Sequence, residues 1–436
     1  MNRTAPPRLG VWAAAALVVS HTIAVGIFLT PAELIGALAW PALTLGLWIA
    51  GGLGVLAGAV TFGELASRYP QAGGVYVYLR EAWGPRVAFL YGWQALFVMD
   101  PGVTAALAAG GAGYVPVIWP AAAGHEAVVA VGIIAVLVAL NALGLRFGAR
   151  VFGVLTVVKL GTLAAIVVGA MIADAGSWEH FVPLVPDRAG APPLGPALAG
   201  GLVSVFFSFG GFWETSRIAA EIDDPRRGVP RALVGGVAAV TVIYLMTTVA
   251  FIYLVPAHEA TSAADLARRA GEALAGPAGP ALLAAAVLVS VVASTMAMIM
   301  VAPRLYEAMS HDGAFFPVFG RRDTARGTPL ASTLLLGGLA TLFLLVGRFD
   351  QIVSFFVATA LVFLGLAAAG LFVIRRREAG APPAVLATPA YPLAPMAFIA
   401  LVTVVVLLVA MNRPLEALSG LVIVATGLFA YGWFRR

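Results

Sequence analysis

GLVSVFFSFGGFWETSRIAAEIDDPRRGVPR, Gly201 to Arg231, is the stretch on which the reading of the chain turns. It opens as an apolar helix, is interrupted at Gly210-Gly211, resumes with a carboxylate at Glu214, and ends in a charged loop from Glu221 to Pro230. An interrupted helix leaves backbone N–H and C=O groups unpaired. In hydrocarbon such a break survives only where it lines a protein-enclosed cavity or binds something. The plain alternative is a tight helix crossing, for which small residues are common. A second interrupted segment, VVSHTIAVGIFLTPAEL at 18–34, favours the first reading.

Composition sets the class. The 436 residues are 61% hydrophobic and 11% charged, with a mean hydropathy of +0.97, which excludes an ordinary soluble domain and predicts an all-α polytopic membrane protein. The absence of cysteine excludes disulfides, thiolate metal sites and cysteine nucleophiles. The net charge of +5 comes from arginines in short loops between apolar runs, a topology signal rather than a nucleic-acid surface. Arg3 and Arg8 precede a long apolar run without a convincing cleavage site, so the N-terminus reads as a retained first helix.

Apolar segments long enough for a bilayer fall near 11–35, 42–67, 86–115, 126–145, 150–173, 195–217, 231–255, 279–308, 329–347, 351–374, 391–411 and 415–434, predicting twelve transmembrane helices. An even number of spans puts both termini on one side. With that side cytoplasmic, inner loops and ends hold twenty arginines, Arg217 among them, and outer ones hold Arg188, Arg268, Arg269, Arg348 and Arg413. That bias predicts a multi-pass protein of the inner (cytoplasmic) membrane with both termini inside, in contact with membrane lipid. Pro70 to Gly84 is expected as a cytoplasmic amphipathic segment with Tyr76, Tyr78 and Trp83 at the interface, and Ala257 to Gly279 as a short outer helix.

Gly26 and Gly210 each lie about 15 residues into spans that cross in opposite directions, near mid-membrane at about 1.5 Å per residue. Two Gly-interrupted helices in corresponding positions of two five-span halves point to an inverted-repeat transporter with its site at the breaks. The halves are residues 11–174 and 195–377, after a cytoplasmic N-terminus at 1–10 and before two peripheral helices at 390–436. Freed N–H groups at a half-helix N-terminus suit a carboxylate, and freed carbonyls at a half-helix C-terminus suit an ammonium group. A zwitterion of the amino-acid type matches both.

Several stretches then carry a specific resemblance: IAVGIFLTP at Ile23 to Pro31, ELASRYPQAGGVYVYLREAWGP at Glu64 to Pro85, FLYGWQALFVMDPGVTAALA at Phe89 to Ala108, FFSFGGFWETSRIAAEIDDPRRGVPRAL at Phe206 to Leu233, and APRLYEAMSHDGAFFP at Ala302 to Pro317. The chain resembles the amino acid–polyamine–organocation superfamily, close to bacterial amino acid permeases. That resemblance implies a LeuT-type 5+5 fold with discontinuous helices 1 and 6. It also implies that the backbone of Ala24, Val25, Gly26 and Ile27 receives a carboxylate, and that the carbonyls of Phe209, Gly210 and Gly211 receive an amino group. Ser208, Phe212 and Trp213 would then shape a side-chain pocket. Val25 stands where the family usually has a small residue.

Ionisable residues inside a membrane are expensive and functional by default. Lys159, the only lysine, lies near mid-depth of the fifth span, where the resemblance implies contact with the first helix near its break. It reads either as a proton-coupling group or as a fixed cation tying the two helices together. Asp100, followed by Pro101, is a candidate counter-charge for substrate, or a structural acid. Glu214 is a proton-coupling candidate, with a simple i, i+3 pair to Arg217 as the alternative. His21 is a proton gate, a substrate contact or a packing histidine. Glu64, Arg68, Tyr76, Glu221 and Arg231 read as inner-side gate and scaffold charges. No catalytic set, metal spacing or phosphate loop is visible, so neither an enzyme nor a cofactor is expected. The expected function is secondary active transport of a small molecule, an amino acid or related amine, coupled to protons. An exchanger or exporter of amino acids or cationic amines is the alternative, and a non-transporting sensor or chaperone-like component a third.

Overall fold

The computed structural model describes residues 9–172, 174–185, 188, 190–256, 262–323, 327–346, 349–380 and 384–434. Among them the chain is helical, apart from one isolated parallel bridge between Leu9 and Ile222. In order the α-helices are α1 (Val11–Thr22), α2 (Gly26–Leu38), α3 (Pro41–Arg68), α4 (Val75–Trp83), α5 (Pro85–Gln94), α6 (Asp100–Ala112), α7 (Val115–Ile118), α8 (Glu126–Ala142) and α9 (Leu145–Ile172). They continue as α10 (Leu194–Ser208), α11 (Pro225–Leu254), α12 (Ala263–Ala275), α13 (Gly279–Val301), α14 (Pro303–His311), α15 (Leu330–Val346), α16 (Phe349–Arg377), α17 (Leu393–Asn412) and α18 (Pro414–Phe434). Nine helical stretches among the described residues are long and apolar enough to cross a bilayer, ten if the bent pair α1 and α2 counts as one. The apolar helices Glu126–Ala142 and Leu330–Leu345 are shorter. This is the build of a polytopic membrane protein.

Both expected interruptions are present. α1 stops at Thr22 because Ile23 turns extended (φ −75°, ψ 96°), and α2 starts at Gly26 on an axis bent by 47°. α10 stops at Ser208. Gly211 then takes φ +93°, a left-handed conformation that glycine adopts without steric cost, and the chain resumes as a 3-10 segment, Phe212–Glu221, kinked at Ile218. The two breaks are in contact. A Cβ on Gly26 would stand 2.7 Å from Ser208 Oγ, and one on Gly211 would stand 3.4 Å from the His21 carbonyl.

A third irregularity sits between α5 and α6, where Ala95–Met99 forms a π turn. Pro101 has no N–H to return to Phe97, so the hydrogen-bond ladder slips by one residue just ahead of Asp100.

One expectation is corrected. Val75–Trp83 does not lie along the interface: Tyr76 and Tyr78 are 2% and 1% exposed, and only Trp83 reaches out, at 41%. Gly73 and Gly74, with φ of +113° and +54°, fold this helix beneath the 3-10 segment, where Gly73 N–H donates to the Arg217 carbonyl at 3.1 Å. A side chain at Gly74 would collide with Ser216, so the close approach requires glycine. The stretch expected as an outer helix over 257–279 contains α12, capped by Ser262 and packed on α2 and α13; residues 257–261 lie outside the described residues.

Candidate functional site

A cavity lies between the two breaks. From the first come His21, Thr22, Ala24, Val25 and Gly26; from the second, Ser208, Gly210, Gly211, Trp213 and Glu214. Phe206 and Phe207 of α10, Met99 of the π turn, Val103 and Leu107 of α6, Ser294 and Met298 of α13, and Val357, Ala360 and Leu361 of α16 complete the wall. Five residues expected at the site, Ile27, Phe209, Phe212, Asp100 and Lys159, are not on this lining but are buried around it.

The first break has its carbonyl end filled by the protein itself. Lys159 Nζ, 1% exposed, donates to the Ser20 carbonyl at 2.9 Å, to the Ile23 carbonyl and to Ser294 Oγ at 2.7 Å. Ser294 Oγ in turn lies 3.0 Å from the carbonyls of both Ser20 and Ile23, and Tyr244 Oη lies 2.8 Å from the Thr22 carbonyl. The opposite end is different. The backbone N–H groups of Ala24, Val25, Gly26 and Ile27 have no acceptor among the described residues. They open α2, where the helix dipole presents its positive end.

The second break is arranged the other way round. Gly210 N–H donates to the Phe207 carbonyl at 2.9 Å, Glu214 N–H to the Gly211 carbonyl at 3.0 Å, and Tyr244 Oη lies 2.6 Å from the Ser208 carbonyl. The carbonyls of Phe209 and Gly210 accept nothing from the described residues. One cavity thus brings residues with unclaimed donors, Ala24 to Gly26, together with an unclaimed acceptor at Gly210.

Beside the second break stands a residue that sequence reasoning placed at the inner end of the sixth span. Arg217 is 1% exposed. Its Nη1 and Nη2 donate to the two Asp100 oxygens at 2.9 and 3.1 Å, and its Nε lies 2.9 Å from Glu214 Oε2. Tyr306 Oη donates to Asp100 at 2.8 Å, and Tyr91 Oη accepts from Arg217 at 3.3 Å. The i, i+3 pair of Glu214 with Arg217 is therefore present, but deep inside the protein. Asp100 is engaged by Arg217 and Tyr306 outside the cavity wall. Two carboxylates face one guanidinium, and all three are almost fully buried. Such a cluster is stable only while complete, since removing one partner leaves a buried charge uncompensated. His21 reaches the cavity with its ring held by the Leu17 carbonyl, 3.1 Å from Nδ1.

Other expected charges form two networks. Glu64 takes Arg68, Arg375 and the Thr388 N–H, and Arg68 goes on to Glu378. Glu221 lies 3.6 Å from Arg304 and 3.8 Å from Arg322, and Arg322 also pairs with Glu307. Tyr76 and Arg80 share Asp312, while Arg231 is exposed. Leu9 exchanges two backbone hydrogen bonds of 2.8 Å with Glu221 and Asp223, pinning the N-terminal segment beside the end of the 3-10 segment.

Comparison with known proteins fits this geometry. The amino acid permease family model matches residues 9–430. The chain is 25% identical over 390 residues to the serine/threonine exchanger SteT of Bacillus subtilis, covering 88% of this chain and 86% of that protein. It is 27% identical over 387 residues to the human b(0,+)-type amino acid transporter 1, covering 86% and 77%. It is 27% identical over 366 residues to the human cystine/glutamate transporter, covering 82% and 72%. With its whole helical body matched, the chain belongs to the amino acid permeases of the amino acid–polyamine–organocation superfamily.

Proposed function

We propose that the protein is a secondary active amino acid transporter of the cytoplasmic membrane, crossing it twelve times with both termini inside and coupled to protons. The first ten spans form two inverted repeats, residues 11–174 and 195–377, and the spans within 390–436 are peripheral. One observation carries the reading. Unclaimed N–H groups at Ala24, Val25 and Gly26 and the unclaimed carbonyl of Gly210 belong to residues that line one cavity, with Ile27 and Phe209 buried around it. A zwitterion answers both, its carboxylate on the donors and its ammonium on the acceptors. Transport proceeds by alternating access, the broken helices with α3 and α11 rocking against a scaffold that includes α6, α9, α13 and α16. Asp100 on α6 and Arg217 on the 3-10 segment bridge these two bodies, so their pair opens when the cavity opens toward the N-terminal face.

Lys159 is the coupling group in this reading. Protonated, it has acceptors for all three N–H bonds and ties α1 to α9; loss of the proton removes a donor and loosens α1. Exchange is the second reading. It is favoured by the same full set of acceptors, which suits a fixed cation, and by the name of the Bacillus subtilis relative. Purified protein in liposomes separates the two. Accumulation of a radiolabelled amino acid driven by an outside-acid gradient is the expected result. Uptake that needs preloaded internal amino acid and ignores the gradient assigns the protein to exchange instead.

A further inference from the structure

We infer that the substrate is a neutral amino acid with an apolar side chain, of the size of valine, leucine or methionine, an inference that rests on the zwitterion site proposed above. The backbone groups at the breaks fix the α-carbon substituents, so the side chain falls to the rest of the wall. That wall includes Met99, Val103 and Leu107 together with Met298, Val357 and Leu361, none of them charged.

The hydroxyl groups on the cavity are already committed as donors. Thr22 Oγ1 donates to the Val18 carbonyl at 2.8 Å, and Ser208 Oγ to the Ser204 carbonyl at 3.0 Å. Ser294 Oγ is held at 3.0 Å from two carbonyls of the first break and receives Lys159. A polar side chain packed against the α6, α13 and α16 residues of this wall would give up its water with little there to replace it. The unpartnered polar atoms among the described residues of the lining, His21 Nε2 and Trp213 Nε1, belong to the two breaks.

The one acid among the described residues of the lining is accounted for without a cationic side chain. Glu214 has its N–H on the Gly211 carbonyl and its carboxylate beside Arg217, which places it next to the acceptors expected to take the α-ammonium. Arg217 offers one positive charge against two buried carboxylates. What Glu214 keeps free beside Arg217 therefore lies at the ammonium end of the site, as an acceptor for an α-amino group and away from the side-chain end.

The test is a binding series on the purified full-length protein, by calorimetry and by ligand-induced thermal shift. Alanine, valine, leucine, methionine and phenylalanine are compared with serine, threonine, glutamine, glutamate and lysine. Affinity is expected to rise about fourfold for each methylene from alanine toward leucine, as burial of a CH₂ group predicts. Serine and lysine are expected at least tenfold weaker than leucine. In Val103→Thr, which keeps the side-chain shape and adds a hydroxyl group, the preference for leucine over threonine is expected to narrow severalfold. Tighter binding of serine or glutamine than leucine overturns the inference while leaving the zwitterion site standing. So does tighter binding of lysine, which would turn Glu214 toward the side chain. Failure of every amino acid to bind, in a preparation that melts cooperatively, overturns the zwitterion site itself.

Discussion

The two breaks begin from the same sequence device, a glycine inside an apolar helix, and finish with opposite chemistry. At the first, Lys159, Ser294 and Tyr244 consume the carbonyls of Ser20, Thr22 and Ile23, so what remains is a row of donors. At the second, the carbonyls of Phe209 and Gly210 remain, and a buried arginine with two acids stands behind them. The difference teaches that a broken helix does not declare its ligand. The side chains that claim one end of it do.

The comparison is broken most severely at Arg217. Arg217→Gln leaves Asp100 and Glu214 buried without their cation and is expected to cost about 3–5 kcal/mol, seen as loss of monodisperse protein or a large drop in melting temperature. The double variant Arg217→Gln, Asp100→Asn should recover most of that loss; no recovery would mean that the pair is not what Arg217 supports. Lys159→Ala strikes the first break. It is expected to remain folded and to lose accumulation driven by a pH gradient by at least tenfold, measured as proteoliposome uptake, and wild-type accumulation would remove Lys159 from coupling. Gly211→Ala puts a Cβ where φ is +93° and is expected to cost about 1–2 kcal/mol, read as a lower melting temperature. Tyr244→Phe is the mildest change. It deletes the hydroxyl group shared by the Thr22 and Ser208 carbonyls, with an expected loss of about 1 kcal/mol of thermal stability.

Much of this organisation was legible in the sequence because it is local. Glycine marks where a helix can stop, and Gly26 and Gly210 announced both interruptions within a residue or two. A lone lysine inside an apolar run has few ways to be satisfied, and Lys159 does meet the first break. Arg217 was not legible. It stands seven positions after Gly210, close to the arginines of the following loop, and its chief partner Asp100 is 117 residues away, so no spacing rule connects them. Nor does composition tell that the 3-10 segment keeps this charge inside. Tyr76 and Tyr78 misled for a related reason: aromatic residues flanked by charges suit a membrane interface, and only the turn at Gly73 and Gly74 folds them inward.

The parallel bridge between Leu9 and Ile222 ties the residues just ahead of α1 to the end of the 3-10 segment. Next to it Gly10 is exposed with an ordinary backbone conformation, and the protein has no cysteine of its own. A single Gly10→Cys substitution therefore offers one reactive thiol on a segment joined to the half of the site proposed to move. If that half rocks as proposed, a fluorophore attached there is expected to follow the motion optically, with no competing thiol signal from the rest of the molecule.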